Sequence, residues 1–318
     1  MTNRLNYPAA FLASGVLFLA ACGGGGGGGT SAALAPAPAA PAAAASGGLL
    51  SFQPDNTTVT YQLASATALV TNAGVGGVAA AASGQGATIT VTQLGGGYTV
   101  VFNIPTTGTT FTQQVGVGFN DIAYGPILFL PNTAELAAGL SQDLVGFLNP
   151  NDSVITQSVG AQSLNYAAYG LWASGDTATV GRAGTFAFGN LTPTASVPAT
   201  GSATFNGTSI GIGGATNGST VYALQGNAQI VANFATQSVT TNLTNLGTQN
   251  ISTNATGSLP NLTGTSTISG NAYAGPIAGT GLSGTINGNF YGPAATETAG
   301  VWQASGGGNS WIGSYGAK

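Results

Sequence analysis

From Leu49 onward, apolar residues recur at every second position in short runs, and Gly, Asn and Thr break each run. Period two is the repeat of a strand buried on one face. In Ala87-Thr-Ile-Thr-Val-Thr92, Ile89 and Val91 share one face and the threonines the other. Gly95 to Gly97 supply a turn, and Tyr98, Val100, Phe102 and Ile104 alternate again, which predicts a β-hairpin with one wet face. The pattern continues through Ala203 and Phe205, then Ala228, Ile230, Ala232 and Phe234, then Val239 and Leu243. Many short strands separated by turns indicate a sandwich or a barrel. Only 3% of residues are charged, so few charges guard strand edges. Closing the sheet into a barrel hides those edges.

One segment departs from period two. Thr133 to Leu148 (TAELAAGLSQDLVGFL) places Leu136, Leu140, Leu144 and Phe147 on one helical face. Asn132 or Thr133 can cap its start, Glu135 suits the first turn, and Pro150 prevents continuation. The apolar stripe is read as a core face.

The first residues bear on the compartment. Arg4 precedes an apolar run, Ala9 to Ala21, too short to span a bilayer but suited to a signal peptide. It ends in Leu19-Ala20-Ala21-Cys22, which resembles the lipobox of bacterial lipoproteins, and Cys22 is the one cysteine. Residues 1–21 are expected to be a signal peptide, with Cys22 acylated and holding the chain on a membrane; two or more acyl chains anchor stably. Gly23 to Gly48 is a Gly/Ala/Pro stretch that cannot bury a core, so residues 22–48 read as acylated cysteine plus tether. A flexible chain of that length reaches about 30 Å. Gly23 stands where some inner-membrane lipoproteins carry a retention Asp, which favours the outer membrane.

Composition then removes most chemistry. There is no histidine, and Met1 is the one methionine. Beyond residue 21, Arg182 and Lys318 face seven acidic residues: Asp55, Asp121, Glu135, Asp143, Asp152, Asp176 and Glu297. Nucleic-acid binding and a polybasic grip on lipid both need clustered Lys and Arg. Ser-His-Asp and Cys-His catalysis lack their base. Zinc and haem sites lack their usual ligands. Asn149 to Asp152 (NPND) lacks the spaced carboxylates of a calcium loop and reads as a turn. A glycosidase-type carboxylate pair would need a partner for Glu297, and the nearest in sequence is Asp176. No enzyme activity, metal or cofactor is expected. Asn-x-Ser/Thr triplets at Asn190, Asn206, Asn217, Asn242, Asn254 and Asn261 read as turn and strand-exit composition, and Trp172, Trp302 and Trp311 as core.

Ordered landmarks follow in the second half: Tyr169-Gly-Leu-Trp172, Gly184 to Gly211, Gly226 to Leu246, Ile268 to Trp302, and Ile312-Gly-Ser-Tyr315. This succession resembles the β-barrel domain of transferrin-binding protein B and related surface lipoproteins, a family with factor H-binding protein and haemoglobin–haptoglobin-utilisation lipoproteins. Its most specific block is FYGPxAxExxG, here Phe290, Tyr291, Gly292, Pro293, Glu297 and Gly300. The resemblance implies a mainly β chain. A smaller β-rich, handle-like domain with one helix (residues 49–164) would precede a C-terminal eight-stranded antiparallel barrel (residues 165–318). It also implies that Phe290 and Tyr291 end one strand, Gly292-Pro293 turns, and Val301-Trp302 starts the next. Glu297 would accept backbone N–H groups of that turn.

The functional expectation is an outer-membrane, surface-facing lipoprotein. It would bind an extracellular protein or a solute for iron- or haem-type nutrient acquisition, alongside an outer-membrane transporter. The alternative is a structural or adhesive coat lipoprotein. Transferrin-binding protein B has two handle-plus-barrel lobes; this chain has length for one, and no segment matches the transferrin-contacting loops.

Overall fold

A computed structural model of the protein describes the strands between Thr58 and Leu148, and residues 164–175, 180–217 and 220–318. The first strands are β1 (Thr58–Gln62), β2 (Ala64–Thr71), β3 (Gly74–Ala81), β4 (Thr88–Leu94), β5 (Gly97–Ile104), β6 (Thr109–Val115), β7 (Ile127–Pro131) and β8 (Leu144–Leu148). Then come β9 (Ala167–Gly175) and β10 (Val180–Gly189). The long strands are β11 (Ser202–Ala215), β12 (Val221–Asn233) and β13 (Ser238–Asn250), followed by the short β14 (Thr256–Ser258). The chain ends with β15 (Leu262–Ser269), β16 (Ala272–Gly279), β17 (Leu282–Tyr291), β18 (Glu297–Gly306) and β19 (Asn309–Ala317).

Eight of these close on themselves. The order β12-β11-β19-β18-β17-β16-β15-β13 is hydrogen-bonded throughout, and β12 also pairs with β13, so the last edge meets the first. Every pairing in the ring is antiparallel. The short β14 rides outside it on β13. The eight-stranded barrel follows from the alternation: Phe205, Ile230, Val239, Leu243, Leu262, Ile277 and Ile286 all turn inward and are buried in one cluster. An eight-stranded interior is filled by such side chains. Away from the second sheet, outward positions of these strands carry polar uncharged residues such as Asn206, Gln229 and Asn242. Gln229 donates to Asn206 at 3.2 Å on that wall, and Asn242 donates to Gln229 at 3.4 Å.

Two further sheets lie N-terminal to the barrel strands. One has the order β1-β4-β5-β6 and contains the hairpin read from Ala87 to Ile104, with Ile89 opposite Phe102. The other has the order β3-β2-β10-β9-β8-β7, so it takes strands from both sides of residue 164. Its alanines Ala64, Ala66, Ala68 and Ala183 pack on Ile212, Val301 and Ile312, which face outward from β11, β18 and β19. Small side chains let the sheet approach the barrel wall closely. Burying each of the three larger residues contributes about 1.5–3 kcal/mol.

The expected helix at Thr133 to Leu148 is corrected over its last turn. Leu144–Leu148 is the strand β8, paired with β9 from Leu144↔Ala173 to Leu148↔Tyr169 and with β7 on its other side. Two ladders on one five-residue segment outweigh a local helical period, because strand preference is set by neighbours. Residues 132–143 lie outside the described residues. So do Cys22, the tether, Asn149 to Asp152, and every acidic residue except Glu297.

Candidate functional site

The FYGP block sits where barrel and six-stranded sheet meet. Phe290 points into the barrel and packs at ring distances of 5.3 Å from Tyr273, 5.5 Å from Phe234 and 6.1 Å from Phe205. Its neighbour Tyr291 points the other way. It is buried in a separate cluster with Leu164, Tyr169, Ala187 and Ala299, and its hydroxyl has no hydrogen-bond partner. Burial raises the Tyr291 hydroxyl far above the ordinary phenol range.

Gly292 follows with φ of 74°, a conformation glycine adopts freely. The Tyr166 ring lies against it, leaving no room for a side chain. A 3-10 turn, Pro293–Ala295, carries the chain round. Ala294 and Ala295 both have left-handed φ, 52° and 58°. Such residues cost about 1–3 kcal/mol each and persist where their surroundings hold them. Here Ala295 is buried in the barrel core.

The connector between β10 and β11 is tied to the same corner. The Asn190 N–H donates to the Tyr166 carbonyl at 2.8 Å, and the Gly292 N–H donates to the Asn190 carbonyl at 2.9 Å. The Thr192 N–H donates to the Phe290 carbonyl at 2.9 Å, and its hydroxyl to the Gly292 carbonyl at 2.7 Å. Asn271 completes the set by donating to the Thr192 carbonyl at 2.7 Å.

Glu297 opens β18, four residues before the strand start expected at Val301. It is 2% exposed. Its carboxylate accepts three backbone N–H groups, from Asn165 at 2.6 Å, Tyr166 at 2.8 Å and Ala167 at 3.0 Å. These donors belong to the entry of β9, across the seam, and not to the Gly292–Thr296 turn that the resemblance implied. The reason is geometric: Glu297 pairs with Tyr291 across the corner and shares the outward face of β18 with Ala299 and Val301, so its side chain faces the second sheet. Burial raises its pKa above the ordinary 4.5, opposed by the three N–H bonds and by Lys318. The arrangement is a latch holding the first residues of β9 against the barrel.

Glycines shape the barrel interior. Across adjacent strands run Tyr273, Gly288, Gly300 and Tyr315 in register. A side chain at Gly288 would overlap both tyrosines, and one at Gly300 would meet the Tyr315 hydroxyl. The two hydroxyls therefore meet at 2.6 Å, and Tyr273 also bonds Thr298 at 2.7 Å. Trp302 lies over Gly313 in the same way and donates from Nε1 to Ser209 Oγ at 2.9 Å. On the outer face Tyr169 is hydrogen-bonded to Thr208, and Ser314 Oγ donates to the Gly170 carbonyl at 2.9 Å. Burial pushes the Tyr169 hydroxyl up to about 12, opposed by its bond to Thr208. Among the described residues no group of three His, Cys, Asp or Glu could hold a metal ion.

Trp302 and Trp311 lie in the core as the sequence indicated, and Trp172 lies in β9 opposite Gly184. The residues that sequence reading missed are Asn165 to Ala167, whose backbone carries no residue-type signal, and the glycines under the aromatic rings. The spacing of Gly288 and Gly300 between two tyrosine-bearing strands was the available clue.

Residues 197–318 match the family described as C-lobe and N-lobe beta barrels of Tf-binding protein B. No curated protein matches the sequence. Among solved structures, a single-site variant of transferrin-binding protein B from Haemophilus parasuis is similar at 16% identity and a TM-score of 0.47, over 81% of this chain and 45% of that one. Transferrin-binding protein B from Neisseria meningitidis is similar at 14% identity and a TM-score of 0.40, over 73% and 51%. The haemoglobin receptor HpuA from Kingella denitrificans is similar at 15% identity and a TM-score of 0.38, over 84% and 89%. The chain thus spans less than half the length of the first of these. The family match falls on the strands of the closed eight-stranded ring, from β11 to β19.

Proposed function

We propose that the protein is a lipid-anchored outer-membrane lipoprotein. Its lobe of barrel plus handle-like sheets stands outside the cell and binds a macromolecule or solute for nutrient acquisition, in company with an outer-membrane transporter. Residues 1–21 are the signal peptide, Cys22 the acylated anchor, residues 22–48 the tether, and residues 49–318 the displayed lobe. The observation that carries this reading is the barrel of the transferrin-binding protein B family with a second sheet latched to its wall. Proteins of similar structure are described as binding transferrin or as a receptor for haemoglobin. The lobe binds and does not catalyse: Glu297, the carboxylate nearest to a catalytic candidate, is engaged by backbone donors.

One observation favours a second reading, a structural or adhesive coat. Between Arg182 and Lys318 the single charged residue is Glu297, and it is buried. A barrel wall of uncharged Asn, Gln, Thr and Ser offers no charge complementarity to a protein ligand.

Affinity capture separates the two. Purified protein without its lipid is immobilised and exposed to transferrin, lactoferrin, haemoglobin and spent growth medium. Saturable retention of one component supports acquisition. Self-association with no retained component supports the coat.

A further inference from the structure

A sheet that does not close leaves edge strands, whose unpaired N–H and C=O groups can add a strand from another chain. The barrel ring has no such edge, but the two other sheets do. Most of the described edges are guarded. The short β14, riding on the barrel, has three residues. β7 has five and ends in Pro131, which has no N–H to offer. β3 is the glycine-rich GVGGVAAA; its pairing with β2 shifts register between Thr67 and Leu69, and it lies over β18 and β19. β1 is one residue away from β2 and so leads directly into the second sheet.

β6 lacks these devices. Thr109–Val115 (TTFTQQV) pairs with β5 over all seven residues without a shift. Among the described residues no strand bonds its other side; β7 comes near it but is paired with β8. Thr, Phe and Val favour strands, and the segment contains no Lys, Pro, Gly or charge to discourage a further strand. The absence of charge extends over the whole sheet, since no residue from Asn56 to Asn120 is charged.

We propose that β6 pairs antiparallel with β6 of a second copy of this chain, joining two four-stranded sheets into one of eight strands. The two-fold axis passes at Thr112, the middle residue of the strand. Thr112 then meets its own counterpart, Thr110 meets Gln114, and Phe111 meets Gln113. A two-fold sets identical residues face to face at its centre, where a charge would meet its like. TTFTQQV brings none there. The same lack of charge gives the strand nothing with which to select a charged foreign partner. Copies held on one membrane surface also meet at a raised effective concentration, a step that rests on the lipid-anchored reading. An isologous pairing closes at two copies, so it makes a dimer and not a fibre. It uses the handle-like sheet and leaves the barrel free, and it therefore holds for either reading of the lobe.

Cross-linking in intact cells tests the pairing. Thr112 lies in register with Val101, Thr90 and Thr60, the row opposite in face to buried Ile89. Thr112→Cys in the full lipoprotein is oxidised with copper phenanthroline and read by non-reducing immunoblot. Thr60→Cys, in the same row but on β1, is the control. Residues directly opposite across a strand pair suit a disulfide, so Thr112→Cys should give about ten times the dimer of the control. Co-expressed Thr110→Cys and Gln114→Cys chains, differently tagged, should cross-link to each other more than either does to itself. Adding Thr112→Lys to both should lower that yield several-fold, by setting like charges face to face. A dimer band from the parent, whose one cysteine is Cys22, would show an unacylated Cys22 and count against the anchor alone; the series is then read in Cys22→Ala chains. Equal yields from Thr112→Cys and Thr60→Cys would overturn the pairing. Thr110→Cys joining itself as readily as Gln114→Cys would overturn it too.

Discussion

Tyr273 and Tyr315 reach toward each other from strands separated by two others, and their hydroxyls meet at 2.6 Å inside the barrel. They can do so because Gly288 and Gly300 hold the intervening positions of that row. Burial raises both hydroxyls above the ordinary phenol value, so the pair stays neutral and each can donate or accept. Replacing Gly288 with Ala should cost about 1–3 kcal/mol through overpacking, read as a lowered urea midpoint with unchanged slope. An unchanged midpoint would mean the tyrosines do not occupy that space.

Glu297 should rank among the costliest single positions. Glu297→Ala leaves three backbone N–H groups at the seam without their acceptor, with an expected loss of about 3 kcal/mol or more. Glu297→Gln keeps the shape but turns an amide N–H₂ toward donors, and should fall between parent and Ala. Hydrogen exchange gives a local check: the amides of Asn165, Tyr166 and Ala167 should lose protection first.

The pH dependence of the same carboxyl has a definite sign. Its folded pKa lies above 4.5, mainly because of burial, so the fold binds this proton more tightly than the unfolded chain does. Its stabilising contribution is complete below the unfolded value and is lost as pH rises through the folded one. The stability difference between parent and Glu297→Gln should therefore shrink as pH rises above 4.5. Urea midpoints of the two proteins along a pH series measure it, and the other carboxylates cancel in the difference.

The two interior tryptophans should respond unequally to loss of their N–H. Trp302→Phe removes a bond to Ser209 and should cost about 1 kcal/mol beyond the lost ring area. Trp311→Phe removes no bond within the protein. Thermal midpoints of the two variants should be separated by several degrees, about what 1 kcal/mol gives in a domain of this size.

Much of the barrel was legible because alternation is a local signal. Phe205, Ile230, Val239 and Leu243 could be assigned an inner face from spacing alone, and all four are buried. The low charge argued for hidden edges, and the ring is closed. Leu144 to Leu148 misled because Leu144 and Phe147, the last two residues of the helical series, also fit a strand that is paired on both sides. At the seam, a lone buried carboxylate signals that something must satisfy it. The donors, however, are main-chain groups 130 to 132 residues away, which no side-chain pattern encodes. The Tyr273–Tyr315 pair was hidden for a related reason. Its signature is the pair of glycines between the tyrosines in the sheet, and those positions become neighbours only once register is known.

Surface display is the claim on which the functional account rests, and protease shaving of intact cells tests it most directly. Cells are treated with protease, and residues 49–318 are detected by immunoblot beside a periplasmic control. The account predicts loss of the signal while the control survives, and retention of the untreated protein in the membrane fraction unless Cys22 is changed to Ala. Full protection of the lobe in intact cells, with digestion only after the outer membrane is opened, would contradict it.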